Sequence, residues 1–410
     1  TWAYEFRSRN EAWPPPSVAS DVVEVGDLIR VKSDEEGWEL GQVPDIQGAL
    51  VSMSPSNGEI LALVGGYDFR RSQVNRVTTP RPPGSNFKPF LYGAALEHGY
   101  SPSSIINDAP ITRGDYRPNN YENNFLGPIT LRFALKESRN VPAVRLYDEL
   151  GSDKVLPFAA KFGFQTQNFP NNDLTVALGS RDVQPLELVT GYSAIANGGY
   201  KIDPWFIKEI SSEIDGLLYQ SKPPVVCEDC GHQAVEDGNP TIAAPRIIDE
   251  RIAYILNSML ESVITEGSGN RVYRELRRGD LRGKTGTTNG PTELWFSGFN
   301  KDIATTVFVG FDQPEPLGER EQGATVAVPI WIDFMREALE DAPENIMSRP
   351  DGIGDRLIDK ISGEPATPGD PNAIFEYFRS ENAPEAIDTQ LPGLEINEED
   401  EEELSTEIIF

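Results

Sequence analysis

The feature that most constrains the fold is that strand-like segments stand at both ends of a long helical middle. A-L-V-S-M-S and E-I-L-A-L-V-G-G flank the turn P-S-N-G between Ala49 and Gly66, the pattern of a β-hairpin. More than two hundred residues later, R-G-K-T-G-T-T, L-W-F-S-G-F and I-A-T-T-V-F-V-G-F follow one another from Arg282 to Phe311. The middle carries helical periodicity. L-Y-G-A-A-L-E-H-G ends on Gly99, a C-terminal cap, and T-L-R-F-A-L-K-E-S opens at Thr130, an N-cap. I-D-E-R-I-A-Y-I-L-N-S-M-L-E-S-V-I-T is amphipathic, and V-P-I-W-I-D-F-M-R-E-A-L-E closes the pattern near Asp341. The order predicts an α/β (α+β) fold: one central antiparallel sheet assembled from distant segments and packed with helices. Trp295 and Phe296 read as core of that sheet.

The flanks read differently. Residues 1–48 alternate in V-G-D-L-I-R-V-K and G-W-E-L-G-Q-V, strands of a partial β module too short to stand as a domain. Residues 49–345 form the main domain. Residues 346–410 read as an acidic, partly disordered extension, because Pro and Gly recur there with little periodicity and the last twenty residues hold eight acids and no Lys or Arg. Over the whole chain, 36 Lys+Arg face 65 Asp+Glu, a net charge of −29. That balance argues against nucleic acid or an anionic membrane surface as the main partner, since phosphate binding needs clustered cations. No apolar run approaches the ~18–20 residues that span a bilayer. The chain opens at Thr1 without a signal-like stretch, so any targeting or anchoring region is expected outside it.

Chemistry concentrates in three short motifs. R-P-P-G-S-N-F-K-P-F sets Ser85 three residues before Lys88, and Pro89 puts both at the first turn of a helix, where i and i+3 share a face. Free N–H groups and the positive dipole end would lie beside Ser85. A serine nucleophile needs a base, and the two histidines, His98 and His232, have no suggestive acidic partner, which leaves Lys88. Its pKa must fall from ~10.4 through burial or a second cation. S-x-x-K alone is weak, expected ~1–2 times by chance in such a length. The second cation is Lys284, on the strand Lys284-Thr285-Gly286-Thr287-Thr288; K-T-G is expected only ~0.1 times. Gly286 lets another group approach the strand backbone, and the lysine and hydroxyls suit a carboxylate. S-x-N occurs at Ser8, Ser138, Ser268 and Ser380, and only Ser138-Arg139-Asn140 follows a helix between the other motifs. Cys227 and Cys230, in V-V-C-E-D-C-G-H, suit a metal knuckle, a redox pair or a short-loop disulfide; the disulfide is favoured because four metal ligands are not at hand.

S-x-x-K, S-x-N and K-T-G in that order resemble the active-site set of penicillin-binding proteins and serine β-lactamases. The flanks A-L-V-S-M-S-P-S-N-G-E-I-L-A-L-V-G-G-Y-D-F, N-R-V-T-T-P-R-P-P-G-S-N-F-K-P-F and G-K-T-G-T-T-N are similar to class A penicillin-binding proteins, the 1A type in particular, over roughly residues 20–340. The resemblance implies a serine D,D-transpeptidase that crosslinks peptidoglycan stem peptides. Ser85 would be the nucleophile, Lys88 the base, Ser138 the relay and Asn140 the holder of the substrate amide. Lys284, Thr285 and Thr287 would clamp the terminal carboxylate, Gly286 and Thr288 would bind substrate beside them, and Tyr121 in Y-R-P-N-N-Y-E-N-N-F is a candidate cleft wall. It implies no cofactor or metal, covalent inhibition by β-lactams, cell-wall activator proteins as possible partners, and a place at the periplasmic face of the bacterial inner membrane. It further implies a glycosyltransferase domain and membrane helix ahead of this region, with residues 1–48 matching the end of an OB-like insert. A β-lactamase and a β-lactam-sensing receptor are the rival functions. The first would want an additional deacylating glutamate, and no such motif stands between Asn140 and Lys284.

Overall fold

The strands at the two ends of the chain pair into one sheet. The computed structural model describes residues 7–8, 11–12, 17–33, 37–41, 43–227, 234–236, 239–318 and 320–387. The sheet contains β1 (Gln47–Met53), β2 (Ile60–Val64), β3 (Arg282–Thr287), β4 (Glu293–Phe299) and β5 (Ala304–Gly310), in the spatial order β3-β4-β5-β1-β2. The β1–β2, β3–β4 and β4–β5 pairs are antiparallel. β4 and β5 are buried along their whole length. Period-two alternation sends Trp295 and Phe299 to one face, against Phe308 and Tyr192, and Phe296 to the other, against Trp331. A sheet covered on both faces needs apolar residues at successive positions, which is why these strands read as near-continuous apolar runs. Trp295 and Phe296 are core, as expected.

The helices that matter for the site are α1 (Lys88–Glu97), α2 (Leu131–Lys136), α3 (Asn140–Leu150), α4 (Pro185–Ala196), α5 (Glu250–Thr265) and α6 (Val328–Ala338). α1 is buried from Lys88 to Leu96, a helix apolar on all sides that runs through the core. It ends as expected, with His98 as C-cap and Gly99 at a φ of +95°. Thr130 caps α2 by accepting from Phe133 N. α5 lies against β3, α4 against β4 and β5, and α6 packs on the same two strands.

Within the unit Thr1–Gln47, Arg30–Ser33 and Trp38–Gly41 pair as a hairpin. The unit Gly48–Phe410 holds everything else, including part of the C-terminal extension. Here the expectation is corrected. β6 (Ile353–Asp359) and β7 (Ala373–Arg379) form a fully registered antiparallel hairpin. It is anchored to the helices: Arg132 of α2 meets Glu376 at 2.5 Å, Tyr377 stacks edge-on with Tyr254 of α5, and Arg379 donates to the Leu96 carbonyl. Pro and Gly in the long connecting loop masked the alternation A-I-F-E-Y-F-R, whose buried members are Glu376 and Phe378. Residues 388–410 lie outside the described residues.

Glu376 is almost fully buried and the Arg132 side chain is 17% exposed. Glu376→Ala is expected to destabilise the protein by about 2–3 kcal/mol, because a largely buried guanidinium loses its counter-charge. Urea unfolding checks this, and an unchanged midpoint would mean that the hairpin is not part of the cooperative unit.

Candidate active site

Ser85 lies in a single 3₁₀ turn, Gly84–Phe87, that runs directly into α1, with Pro89 in the first helical turn. Two close approaches seat this turn on β3. Gly84 has a φ of +56°, and a Cβ there would stand 2.7 Å from the Thr287 carbonyl oxygen. A Cβ on Gly286 would stand 2.5 Å from the Pro83 carbonyl oxygen. Trp295 Nε1 donates to the Pro82 carbonyl at 2.9 Å, so the core tryptophan also braces the turn. Ser85 is half-buried, and its hydroxyl makes no hydrogen bond among the described residues.

The lysine of each flanking motif is fully buried. Lys88 Nζ donates to the Ser138 carbonyl at 2.6 Å, to Asn140 Oδ1 at 2.8 Å and to the Arg139 carbonyl at 3.1 Å. Lys284 Nζ donates to Ser138 Oγ at 2.7 Å and to its neighbour's carbonyl, Thr285 O, at 3.2 Å. Ser138 Oγ also lies 3.5 Å from Lys88 Nζ, so all three motifs meet at one hydroxyl. Burial holds the Lys88 amine well below the ordinary lysine range; Lys284 and Arg139 push the same way and Glu122 opposes them. Lys284 falls to about 7, again through burial, with Glu137 pulling it upward.

A hydroxyl in this position requires an unusual backbone. Ser138 sits at φ +56° in the short link between α2 and α3, the left-handed region that a non-glycine residue adopts only when its surroundings compel it. What compels it is a buried polar network that the sequence reading missed. Arg139 forms an ion pair with Asp108 at 2.7 Å, both essentially without exposure, and reaches Glu122 at 2.8 Å and the Asn124 carbonyl at 2.7 Å. Asp108 also accepts from Asn120 Nδ2, whose own Oδ1 accepts from the N–H groups of Asn140 and Val141 at the start of α3. The signal was the Asn-rich run N-N-Y-E-N-N, a composition suited to bonding nearby backbone.

The remaining candidates divide. Thr285 Oγ1 is 3.1 Å from Ser268 Oγ, and Thr287 Oγ1 accepts from Gly323 N at 3.0 Å, so both threonines belong to the wall of the cluster. Thr288 is turned to the β3–β4 connection, where its hydroxyl meets Thr292 and Glu293. Tyr121 is exposed and bonds Gln322 rather than any motif residue. Cys227 is disulfide-bonded. Cys230 and His232 lie outside the described residues. Among the described residues, no helix is long and apolar enough to cross a membrane.

The similarities to known proteins follow this geometry. Residues 48–336 match the family model "Penicillin binding protein transpeptidase domain", and residues 1–46 match "Penicillin-binding protein OB-like domain". The chain is 43% identical to penicillin-binding protein 1A of Pseudomonas aeruginosa, over 96% of its own length and 52% of that protein's. It is 34% identical to penicillin-binding protein 1A of Escherichia coli, over 92% of the chain and again 52% of the relative. The chain thus spans about half the length of these relatives. In three dimensions it is similar to the crystal structure of penicillin-binding protein 1A from Haemophilus influenzae, with a TM-score of 0.82 and 34% identity, covering 88% of this chain and 57% of that one. PonA1 of Mycobacterium tuberculosis in complex with penicillin V shares the fold at a TM-score of 0.64 and 22% identity, covering 81% and 86% of the two chains.

The packing of Gly84 on Thr287 gives a direct test of how tightly the turn must sit. Gly84→Ala should destabilise the protein by about 1–3 kcal/mol, because its Cβ would overlap the Thr287 carbonyl oxygen at a φ that L residues rarely adopt. Urea unfolding measures it, and an unchanged midpoint would show that the turn tolerates displacement.

Proposed function

The chain belongs to the penicillin-binding protein transpeptidase family, and on that premise we propose that it crosslinks peptidoglycan as a serine D,D-transpeptidase. Ser85 Oγ attacks the carbonyl between the two terminal D-alanines of a stem peptide. Lys88, whose pKa is lowered by burial and by its cationic neighbours, takes the hydroxyl proton once it has lost its own. The C–N bond breaks, the proton passes through Ser138 Oγ to the departing amine, and D-alanine leaves an ester on Ser85. An amine of a second stem then attacks the ester, and Ser85 recovers its proton as the crosslink forms. The N–H groups of Ser85 and Thr287 hold the oxyanion, a contribution of about 3–4 kcal/mol per donor in such enzymes. Lys284, Thr285 and Thr287 receive the substrate carboxylate, and Asn140 exchanges the Asn119 carbonyl, which its Nδ2 meets at 3.2 Å, for the substrate amide.

What supports this reading above all is that two buried lysines from distant motifs share the hydroxyl of Ser138, one of them three residues after Ser85 in the chain. The proposal takes residues 1–48 as the end of an OB-like insert, 49–345 as the catalytic domain and 346–410 as an extension. It also takes β-lactams as covalent inhibitors and a longer, bifunctional form acting at the periplasmic face of the inner membrane, open to activator proteins.

Benzylpenicillin should give one slowly hydrolysed adduct, mapped to Ser85 by intact mass and peptide sequencing. An adduct elsewhere, or one that persists in Ser85→Ala, would sink the assignment.

The lysines predict a particular pH dependence. Acylation rises with pH as Lys88 loses its proton, and it declines above about 7 as Lys284 loses the charge that attracts the carboxylate. Lys284→Ala removes a cation that depresses Lys88, so the rising limb moves to higher pH while the falling limb disappears. Identical midpoints in wild type and variant would leave burial alone to tune Lys88.

A further inference from the structure

Sequence order favours Ser138-Arg139-Asn140 over Ser268-Gly269-Asn270, yet the structure brings Ser268 to the same cluster. Its place follows from the turn that leaves α5. Gly267 is seated on the end of α2, where a Cβ would stand 2.4 Å from the Lys136 carbonyl oxygen. Ser268 N donates to that same carbonyl at 3.2 Å, and Gly269 N donates back to the Val263 carbonyl of α5 at 3.0 Å. Lys136 stands two residues before Ser138. The half-buried Ser268 side chain reaches β3, with Oγ 3.1 Å from Thr285 Oγ1. Ser268 therefore takes its backbone seat from the helix that leads into Ser138 and gives its hydroxyl to the K-T-G strand. Among the described residues, Thr285 Oγ1 is the one hydrogen-bond partner of that hydroxyl.

Hydrogen counting gives the contact a direction. The Thr285 hydroxyl has one hydrogen to donate and two positions at which to accept. Lys284 Nζ, 3.5 Å away, can only donate to it. When Ser268 donates as well, both accepting positions are filled and the Thr285 hydrogen is left for an acceptor from outside. When Ser268 accepts, that hydrogen is held within the protein. An ionised carboxylate only accepts, so it selects the first arrangement and completes a chain of two aligned O–H donors. We propose that Ser268 is a positioning residue that presents the Thr285 hydroxyl as a donor to the carboxylate of substrate or inhibitor. The inference rests on the serine-acylation reading and adds to it a residue from outside the three motif segments. Ser268 acts through Thr285 and takes no part in proton transfer at Ser85.

The test compares second-order acylation constants for benzylpenicillin and for its methyl ester, which keeps the rings and side chain and lacks the anionic acceptor. Ser268→Ala should lower the benzylpenicillin constant by about 3- to 10-fold and the ester constant by less than about 2-fold. Ser268→Thr keeps a hydroxyl and should restore the benzylpenicillin constant to within about 2-fold of the unsubstituted protein. In a Thr285→Val background Ser268→Ala should have no further effect, because the serine acts through that threonine. An equal fall for acid and ester makes Ser268 a structural residue and overturns the inference. An unchanged benzylpenicillin constant overturns it too, as does a loss in Ser268→Thr as large as in Ser268→Ala, or a full effect of Ser268→Ala in the Thr285→Val background. Absence of any adduct on Ser85 in the unsubstituted protein overturns the acylation reading and this inference with it. Normal acylation with an acid-to-ester ratio unmoved by Ser268→Ala overturns the inference alone.

Discussion

Two lysine amines buried within reach of one hydroxyl set the terms for the rest of the site. Their nitrogens lie 2.7 and 3.5 Å from Ser138 Oγ, so they are at most about 6 Å apart. At that separation and an effective dielectric near 20, two positive charges repel by about 3 kcal/mol. Desolvation acts on both amines in the same direction. The doubly charged state is therefore disfavoured, and Lys88, pushed down by burial and by Lys284 and Arg139, lies well below the ordinary lysine range. A lowered amine pKa is what general-base chemistry by a lysine would need. Here it comes from burial and neighbouring cations, without histidine.

An arrangement so costly in desolvation has to be held, and the holding is done at one remove. Lys88 needs the carbonyls of Ser138 and Arg139 turned inward, which fixes the link between α2 and α3 in a left-handed bend. That bend survives because the Arg139 side chain, with no exposure to speak of, is locked by Asp108 and by the asparagine loop. A buried ion pair adds little net stability, but removing one partner is severe, so the pair fixes geometry more than it stabilises the fold. The same loop presents Tyr121 outward. Support of the buried Lys88 and display of an exposed tyrosine are thus consequences of one network.

Much of this was legible in sequence, for identifiable reasons. The sheet strands could be read because a sheet covered on both faces demands apolar runs, and α5 because its amphipathic stripe is long. Ser85, Lys88 and Lys284 could be read because they lie in short motifs whose backbone requirements, a proline in the first helical turn and a glycine on a strand, are local. The Asp108–Arg139 pair could not, since its partners are 31 residues apart and nothing local distinguishes Arg139 from a surface arginine. Thr288 was grouped with its neighbours by adjacency, whereas its side chain serves the turn into β4. The β6–β7 hairpin was hidden by its long loop, and its anchors on α2 and α5 are tertiary contacts with no signature in the hairpin itself.

The K-T-G strand shows how steric and chemical demands come to coincide in three letters. β3 is an edge strand, and an open edge invites unwanted pairing. Here chain from the two ends of the domain presses on the edge at the same residue: the Pro83 carbonyl from one side of the sequence and Gly323 from the other, both converging on Gly286. Any side chain at Gly286 would part them, since its Cβ would stand 2.5 Å from Pro83 O and 2.9 Å from the Trp295 Cβ. With that position reduced to backbone, the preceding lysine can be buried against Ser138, and Thr287 is brought beneath the turn that bears Ser85. The glycine has no chemistry of its own. It lets the turn that bears Ser85 pack on the strand that bears Lys284, some two hundred residues later in the sequence.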